Sequence, residues 1–202
     1  YKIINNILKI NSDNYYYIQQ GSLYRSMIYG YLFENPIGRL YPIIPSMVHL
    51  TKEVRYFLFE GVYRDVDIVN AHPSILFEFS QKKNLKTPTL EQLVKDRETF
   101  YDSISQELQI DKIKAKKITI ICLNSEFNKF NKSKTLSSLF LEIYVLREII
   151  WNTAISIQAK LAHKPEFMKK SIHKRKISLQ SYFCQTQESV WLNHFYNFLF
   201  NV

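Results

Sequence analysis

Apolar residues recur at a spacing near 3.6 over 89–101, 111–124 and 137–157, which predicts three successive helices. The same period resumes over 178–200, with Phe183, Val190, Leu192 and Phe195 as core candidates. Upstream the pattern changes. Residues 36–45 carry Pro36, Pro42, Pro45 and Gly38, so extended segments and turns are expected there. A short helix over 51–59 follows, with Thr51 as its candidate cap, Glu53 in its first turn and Val54, Phe57 and Leu58 on one face. Gly61 would end it. The run 62–69 roughly alternates and is rich in β-branched residues, which reads as a strand. Pro73 then suits the first turn of a helix reaching Phe79, with Ile75, Leu76 and Phe79 facing a core. Residues 82–88 form a polar connection, and 163–176 read as an exposed loop or phosphate-facing surface. No internal repeat is present.

With 202 residues and 46% hydrophobic content, the chain can bury one sizeable core or two small lobes. Lys and Arg number 27 against 18 Asp and Glu, a net charge of +9, which favours phosphate-bearing partners over acidic or neutral small molecules. Ordinary solvated lysine faces also account for such a balance. Cys122 and Cys184 occur without a CxxC or a Cys/His cluster, which argues against a zinc site or a disulfide framework. Cys122 lies in an apolar run and reads as core, and a reducing compartment fits best. No apolar run reaches the roughly 18 residues a membrane span needs, and the N-terminus shows no basic-then-apolar signal segment. An intracellular location without membrane partners is the expectation, its compartment left open. The chain begins at Tyr1, not Met, and is read as a piece of a longer protein.

The chemistry concentrates in two places. The first is the run Asp67-Ile-Val-Asn-Ala-His72-Pro73, preceded by Asp65. A carboxylate at the end of an apolar strand is a suitable magnesium ligand, because the ion prefers carboxylate oxygens supplemented by substrate phosphates. The Ile68 carbonyl beside Asp67 is a candidate second ligand. The plainer reading makes Asp65 and Asp67 solvent-side positions of an edge strand. The second place is 112–125, where Lys112, Lys116, Ile120 and Asn124 form one i, i+4 stripe on a helix. Two cations, an apolar surface and a polar tip would meet a triphosphate and then its base. A solvated amphipathic helix is the alternative, but four lysines within six residues near a helix start oppose its dipole, a cost that an anion would relieve.

In these residues the chain resembles family A DNA polymerases, most closely their divergent branch in viruses and mobile elements, often fused to a helicase. Gly38-Arg39-Leu40, then 45–50, then Arg55 before Asp67 are similar in order and spacing to the segment running from the family's primer-template motif into its motif A. Lys112, Lys116, Ile120, Asn124 and Ser125 occupy the positions of motif B, with Lys replacing Arg and Ser replacing Gly. The segment Gln185-Thr-Gln-Glu188, with Leu192 beyond it, resembles the helix that precedes motif C, and motif C itself is not found before Val202.

The resemblance implies an α+β right-hand polymerase core of palm and fingers, mostly helical with a small antiparallel sheet. Residues 1–80 would hold the first palm part, 81–176 a helical fingers-like lobe, and 177–202 a helix returning to the palm. Asp67 and Lys116 would be the catalytic residues. Asp67 and the Ile68 carbonyl would hold Mg²⁺ or Mn²⁺. Lys112 and Lys116 would hold the incoming triphosphate, Ile120 would stack on its base, and Asn124 would complete the nucleotide site. Lysine cannot make the bidentate phosphate contact of arginine, so Lys112 implies weaker nucleotide binding. His72 falls where the family places its sugar-selecting residue; a helix-capping or packing role is the alternative. Arg39, Arg55 and Glu188 would contact primer or template, with a plain surface role equally open for Glu188. The implied partners are a DNA primer-template, deoxynucleoside triphosphates and a fused or associated helicase. The implied reaction is template-directed addition of deoxynucleotides to a primer 3′ end. The alternatives are a degenerate relic that binds nucleic acid without chemistry, and RNA or primase-like synthesis.

Overall fold

The computed structural model describes residues 29–31, 38, 40–42, 51–59, 68–126 and 129–200. The chain divides into two compact units, 1–36 with 40–67 and 37–39 with 68–202. In the first, β1 (Tyr29–Tyr31) and β2 (Leu40–Pro42) pair antiparallel, with Tyr29 opposite Pro42 and Tyr31 opposite Leu40. Helix α1 (Lys52–Phe59) also belongs to this unit. The Thr51 hydroxyl lies 3.5 Å from the Val54 N–H, a long contact at the expected cap.

The second unit is all-helical among its described residues. Helix α2 (Ala71–Lys82) begins after Asn70, whose φ of 54° lies in the left-handed region. Pro73 sits in the first turn, where its missing N–H costs no intrahelical bond, and it is buried along with Ile75 and Leu76. The run expected as one helix over 89–101 is two, α3 (Pro88–Lys95) and α4 (Arg97–Leu108). Asp96 makes the break: its backbone leaves the helical region, and its carboxylate accepts from the Thr99 N–H at 3.2 Å to cap α4. Helix α5 (Lys112–Leu123) matches its expected span. Helix α6 (Lys134–Thr153) starts earlier than its apolar spacing alone suggests, because the buried Ser133 accepts from the Leu136 N–H at 3.1 Å.

After α7 (Ile155–Ala162), the stretch expected as an exposed loop forms α8 (Pro165–Met168) and the first turn of α9 (Ile172–Phe200). Toward the end of α9 the expected core positions Val190, Leu192 and Phe195 are exposed, whereas Phe183 packs against the core.

Helix α6 is the centre of the unit, packed by α2, α3, α4, α5, α7 and α9. Leu136, Leu139, Phe140, Ile143, Leu146 and Ile150 recur every three or four residues along it and are all buried. Two carboxylates tie neighbours to this hub through helix N-termini, whose first N–H groups lack intrahelical acceptors. Glu142 of α6 accepts from Thr89 and Leu90 at the start of α3, at 2.9 and 2.8 Å. Glu107 of α4 accepts from the Ser133 hydroxyl and from both the N–H and hydroxyl of Thr135 at the start of α6. Partial burial pushes the Glu107 carboxyl upward, but these hydrogen bonds and the Lys134 charge outweigh it and hold it below its ordinary value.

The expectation of an α+β palm and fingers core with a small antiparallel sheet is overturned. The described chain is overwhelmingly helical, and its only described strand pairing is the ribbon of three residues per strand in the first unit. Helical apolar spacing persists through 71–82 and 172–200, segments assigned to the two palm parts, and α2 and α9 pack on each other and on α6. The strand read over 62–69 lies outside the described residues through position 67, and Val69–Asn70 form a turn.

Candidate functional site

Helix α5 and its C-cap Asn124 carry the stripe of Lys112, Lys116 and Ile120. Its N-terminus is capped by Asp111, whose carboxylate accepts from the Lys114 N–H at 2.8 Å and pairs with the Lys114 ammonium at 3.1 Å. The backbone hydrogen bond from Lys114, and then the Lys114 side chain, hold this carboxyl below its ordinary value. The cap also sets negative charge against the positive end of the dipole, which the lysines by themselves do not.

Ala115, Thr119, Cys122 and Leu123 bury the opposite face. Lys112, Lys116, Ile120 and Asn124 are all exposed, so the stripe lies on the outer face. The two lysines differ in their surroundings. The Lys112 ammonium is engaged by Asp102 at 2.9 Å and Glu98 at 3.1 Å, and these contacts, the Asp102 hydrogen bond first, raise its pKa. Lys116 has no carboxylate within ion-pair distance among the described residues. The outer face is also apolar: Ile113, Ile120 and Ile121 are 70%, 53% and 56% exposed. A merely solvated amphipathic helix would place polar side chains at those positions.

The far end of α5 is held by a residue outside every motif. Arg147 of α6, only 3% exposed, donates through Nη1 to the Ser125 carbonyl at 2.9 Å and through Nη2 to the Leu123 carbonyl at 3.2 Å. Its Nε donates to Gln180 of α9 at 2.9 Å, and Gln180 in turn donates to the Leu123 carbonyl at 3.2 Å. These are C-terminal carbonyls without helical partners, at the negative end of the dipole. Asn124, the polar tip of the stripe, is thereby set between two carbonyls gripped from behind, and its side-chain amide donates to the Ile120 carbonyl at 3.0 Å. Burial draws the Arg147 pKa below its ordinary value. The signal for this residue was legible as a cation on the buried stripe, at i+4 from Ile143 and i−3 from Ile150.

A second cluster joins α2 to α9. His72 Nε2 lies 3.7 Å from Glu188 Oε2, an ion pair when the imidazole is protonated. Both side chains are partly shielded, at 32% and 13% exposure. Two residues read separately in the sequence, one for the sugar and one for the template, thus sit together. One and two residues away on α9, Ser189 donates its hydroxyl to the Gly38 carbonyl at 3.0 Å, and Thr186 Oγ1 accepts from the Gly38 N–H at 2.9 Å. The first residue of the Gly38-Arg39-Leu40 motif is therefore anchored beside the Glu188 cluster. Gly38 has φ +83°, and a Cβ there would lie 3.1 Å from the Tyr182 ring and 3.3 Å from Gln185 Oε1. Gly38→Ala is expected to lower stability by about 1–2 kcal/mol, read as an earlier urea midpoint with an unchanged slope.

Asn70, which no motif reading singled out, donates its side-chain amide to the Leu93 carbonyl at 3.3 Å. It fastens the turn after Ile68, itself half-buried, to the end of α3. Asp65, Asp67 and Arg39 lie outside the described residues, and Arg55 falls on α1. Among the described residues, no group of three or more His, Cys, Asp or Glu is placed to hold a metal ion. The thiols of Cys122 and Cys184 are both buried and pushed up to about 12 by that burial, which fits the core role read for Cys122. No described helix is long and apolar enough to cross a membrane.

No family model matches the chain, and no solved structure matches it significantly. A protein of Sputnik virophage named "Putative helicase V13" is 24% identical over 102 residues, covering 46% of this chain. The matched segment spans 13% of that protein's length.

Proposed function

We propose that this chain is part of a DNA polymerase that adds deoxynucleotides to a primer 3′ end under template direction. The observation that carries the reading is the outer face of α5, where Lys116, without a carboxylate partner among the described residues, is followed by exposed Ile120 and the fixed tip Asn124. A triphosphate needs a cation, and its base needs an uncovered apolar surface one helical turn further on. In this reading Lys116 grips the phosphates, Ile120 supports the base, and Lys112 joins them by leaving Asp102 and Glu98. His72, with Glu188 Oε2 3.7 Å from its Nε2, would border the sugar and disfavour a ribose 2′-hydroxyl. Asp67 and the Ile68 carbonyl would hold magnesium, which would supply acidification of the attacking hydroxyl and neutralisation of the pyrophosphate. Arg39 and Arg55 would contact the primer-template, as the resemblance implies.

The similarity to the virophage protein supports a viral or mobile-element setting. Its helicase name accords with the helicase that the resembled branch often carries, and most of that protein lies outside the matched segment.

The test is primer extension by the full natural reading frame containing this chain, with Lys116→Ala beside it. Removing one preorganised cation is expected to lower kcat/KM for the incoming nucleotide about 100-fold, while DNA affinity stays unchanged. A Lys116→Ala enzyme with wild-type nucleotide kinetics would remove α5 from the nucleotide site. The carboxylates on Lys112 also favour a second reading, a relic that binds nucleic acid after losing chemistry. That protein would bind DNA with steep salt dependence and extend no primer.

A further inference from the structure

More than half of the chain's net charge lies in one stretch of sequence, within which Lys176 is engaged by Glu148 of α6. Residues 163–176 hold six Lys and Arg against one Glu, a balance of 6 − 1 = +5 out of the total of +9. They form α8 and the opening of α9, and Lys169, Lys170 and Lys174 all point outward. Lys170 touches a neutral hydroxyl, Ser178 Oγ, at 2.9 Å. Neither Lys169 nor Lys174 has a carboxylate within ion-pair distance among the described residues. Between these cations lie two exposed apolar side chains, Met168 at 50% and Ile172 at 41%. Cations interleaved with apolar surface suit a single strand, whose unpaired bases need contacts that a duplex keeps inside.

The corner also adjoins the end of α5. Ser171, which precedes α9, donates to Glu126 at 3.3 Å, two residues beyond the tip Asn124. Gln180, two turns into α9, is bonded to the Leu123 carbonyl. On the proposed reading, the base of the incoming nucleotide lies at the Asn124 end of the stripe, so the template base that pairs with it enters from that side.

Resting on that reading, we infer that the α8–α9 corner is a track for the unpaired template strand ahead of the insertion point, with Lys169, Lys170 and Lys174 binding its phosphates. The experiment compares primer-templates with a blunt end and with a single-stranded template overhang of about 10 nucleotides. Binding by the full natural protein and by the triple variant Lys169→Gln/Lys170→Gln/Lys174→Gln is followed by anisotropy at several salt concentrations. The wild type is expected to prefer the overhang. The variant is expected to lose that preference, about tenfold in affinity, and to lower the slope of log K against log salt by about 2, at roughly 0.7 per single-strand phosphate contact.

Equal losses on both substrates, or no loss, would overturn the track. So would charge-dependent binding seen with anionic phospholipid vesicles and not with the overhang. Primer extension is scored in parallel: overhang preference lost in the variant of a protein that extends no primer would support the strand track while the polymerase reading fails. Extension with no overhang preference would overturn the track and leave that reading standing.

Discussion

Primer extension by the full natural protein is expected to fall about 10³-fold when Asp67 is replaced by Asn. The substitution keeps the size of the side chain and removes its charge, and a hard cation strongly prefers a charged oxygen ligand. Losing several kcal/mol of transition-state charge stabilisation corresponds to about three orders of magnitude in rate. The turn that follows Asp67 is secured independently, by the Asn70 amide on the Leu93 carbonyl and by burial of Pro73, Ile75 and Leu76. Melting temperature and salt-dependent DNA affinity are therefore expected to match the wild type. A variant that still extends primers within about tenfold of wild type would sink the assignment, since Asp67 is the carboxylate on which it rests.

Periodicity located most of the helical unit because its core is a simple stripe. Ile75 and Leu76, Ala115 and Cys122, and the α6 series from Leu136 to Ile150 are buried where a 3.6 period puts them. Boundaries failed where a single polar side chain overrode the period, at Asp96 inside a continuous apolar pattern and at Ser133 ahead of α6. The sheet expectation failed for a different reason. It came from the order of motifs, and motif order constrains which residues meet more tightly than it constrains the backbone that brings them together. His72 of α2 and Glu188 of α9 illustrate the point, lying 3.7 Å apart in a helical setting, with Gly38 bonded to the neighbouring Thr186 and Ser189.

Within the candidate site, exposure on α5 could be read from spacing, whereas the condition of each lysine could not. Lys112 and Lys116 are similar in sequence context, and among the described residues the approach of Asp102 and Glu98 from α4 distinguishes them. Glu142 and Glu107 were invisible for the same reason, since the N–H groups they accept lie 52 or 53 and 28 residues away.

Arg147→Met is expected to destabilise the helical unit by about 2–4 kcal/mol and to loosen the C-terminal end of α5. Methionine fills much of the same volume, so the loss is chiefly that of three hydrogen bonds, to the Ser125 and Leu123 carbonyls and to Gln180. Hydrogen bonds made by a charged group contribute roughly 1.5–3 kcal/mol each, but burial of the guanidinium opposes them, as its lowered pKa indicates. The net penalty then turns on what is left behind. The Leu123 carbonyl keeps Gln180 Nε2, whereas Gln180 Oε1 loses its Arg147 donor, and so does the Ser125 carbonyl at the turn that ends α5. Urea unfolding should show the earlier midpoint with an unchanged slope. Arg147→Lys, which keeps the charge and loses the forked geometry, should fall between the two. If Asn124 marks the base end of the site, the KM for nucleotide should rise in Arg147→Met under conditions where the protein remains folded. Stability within about 0.5 kcal/mol of wild type would mean that desolvation of Arg147 cancels its bonds, and α5 would then be positioned by the packing of Ala115, Cys122 and Leu123 instead.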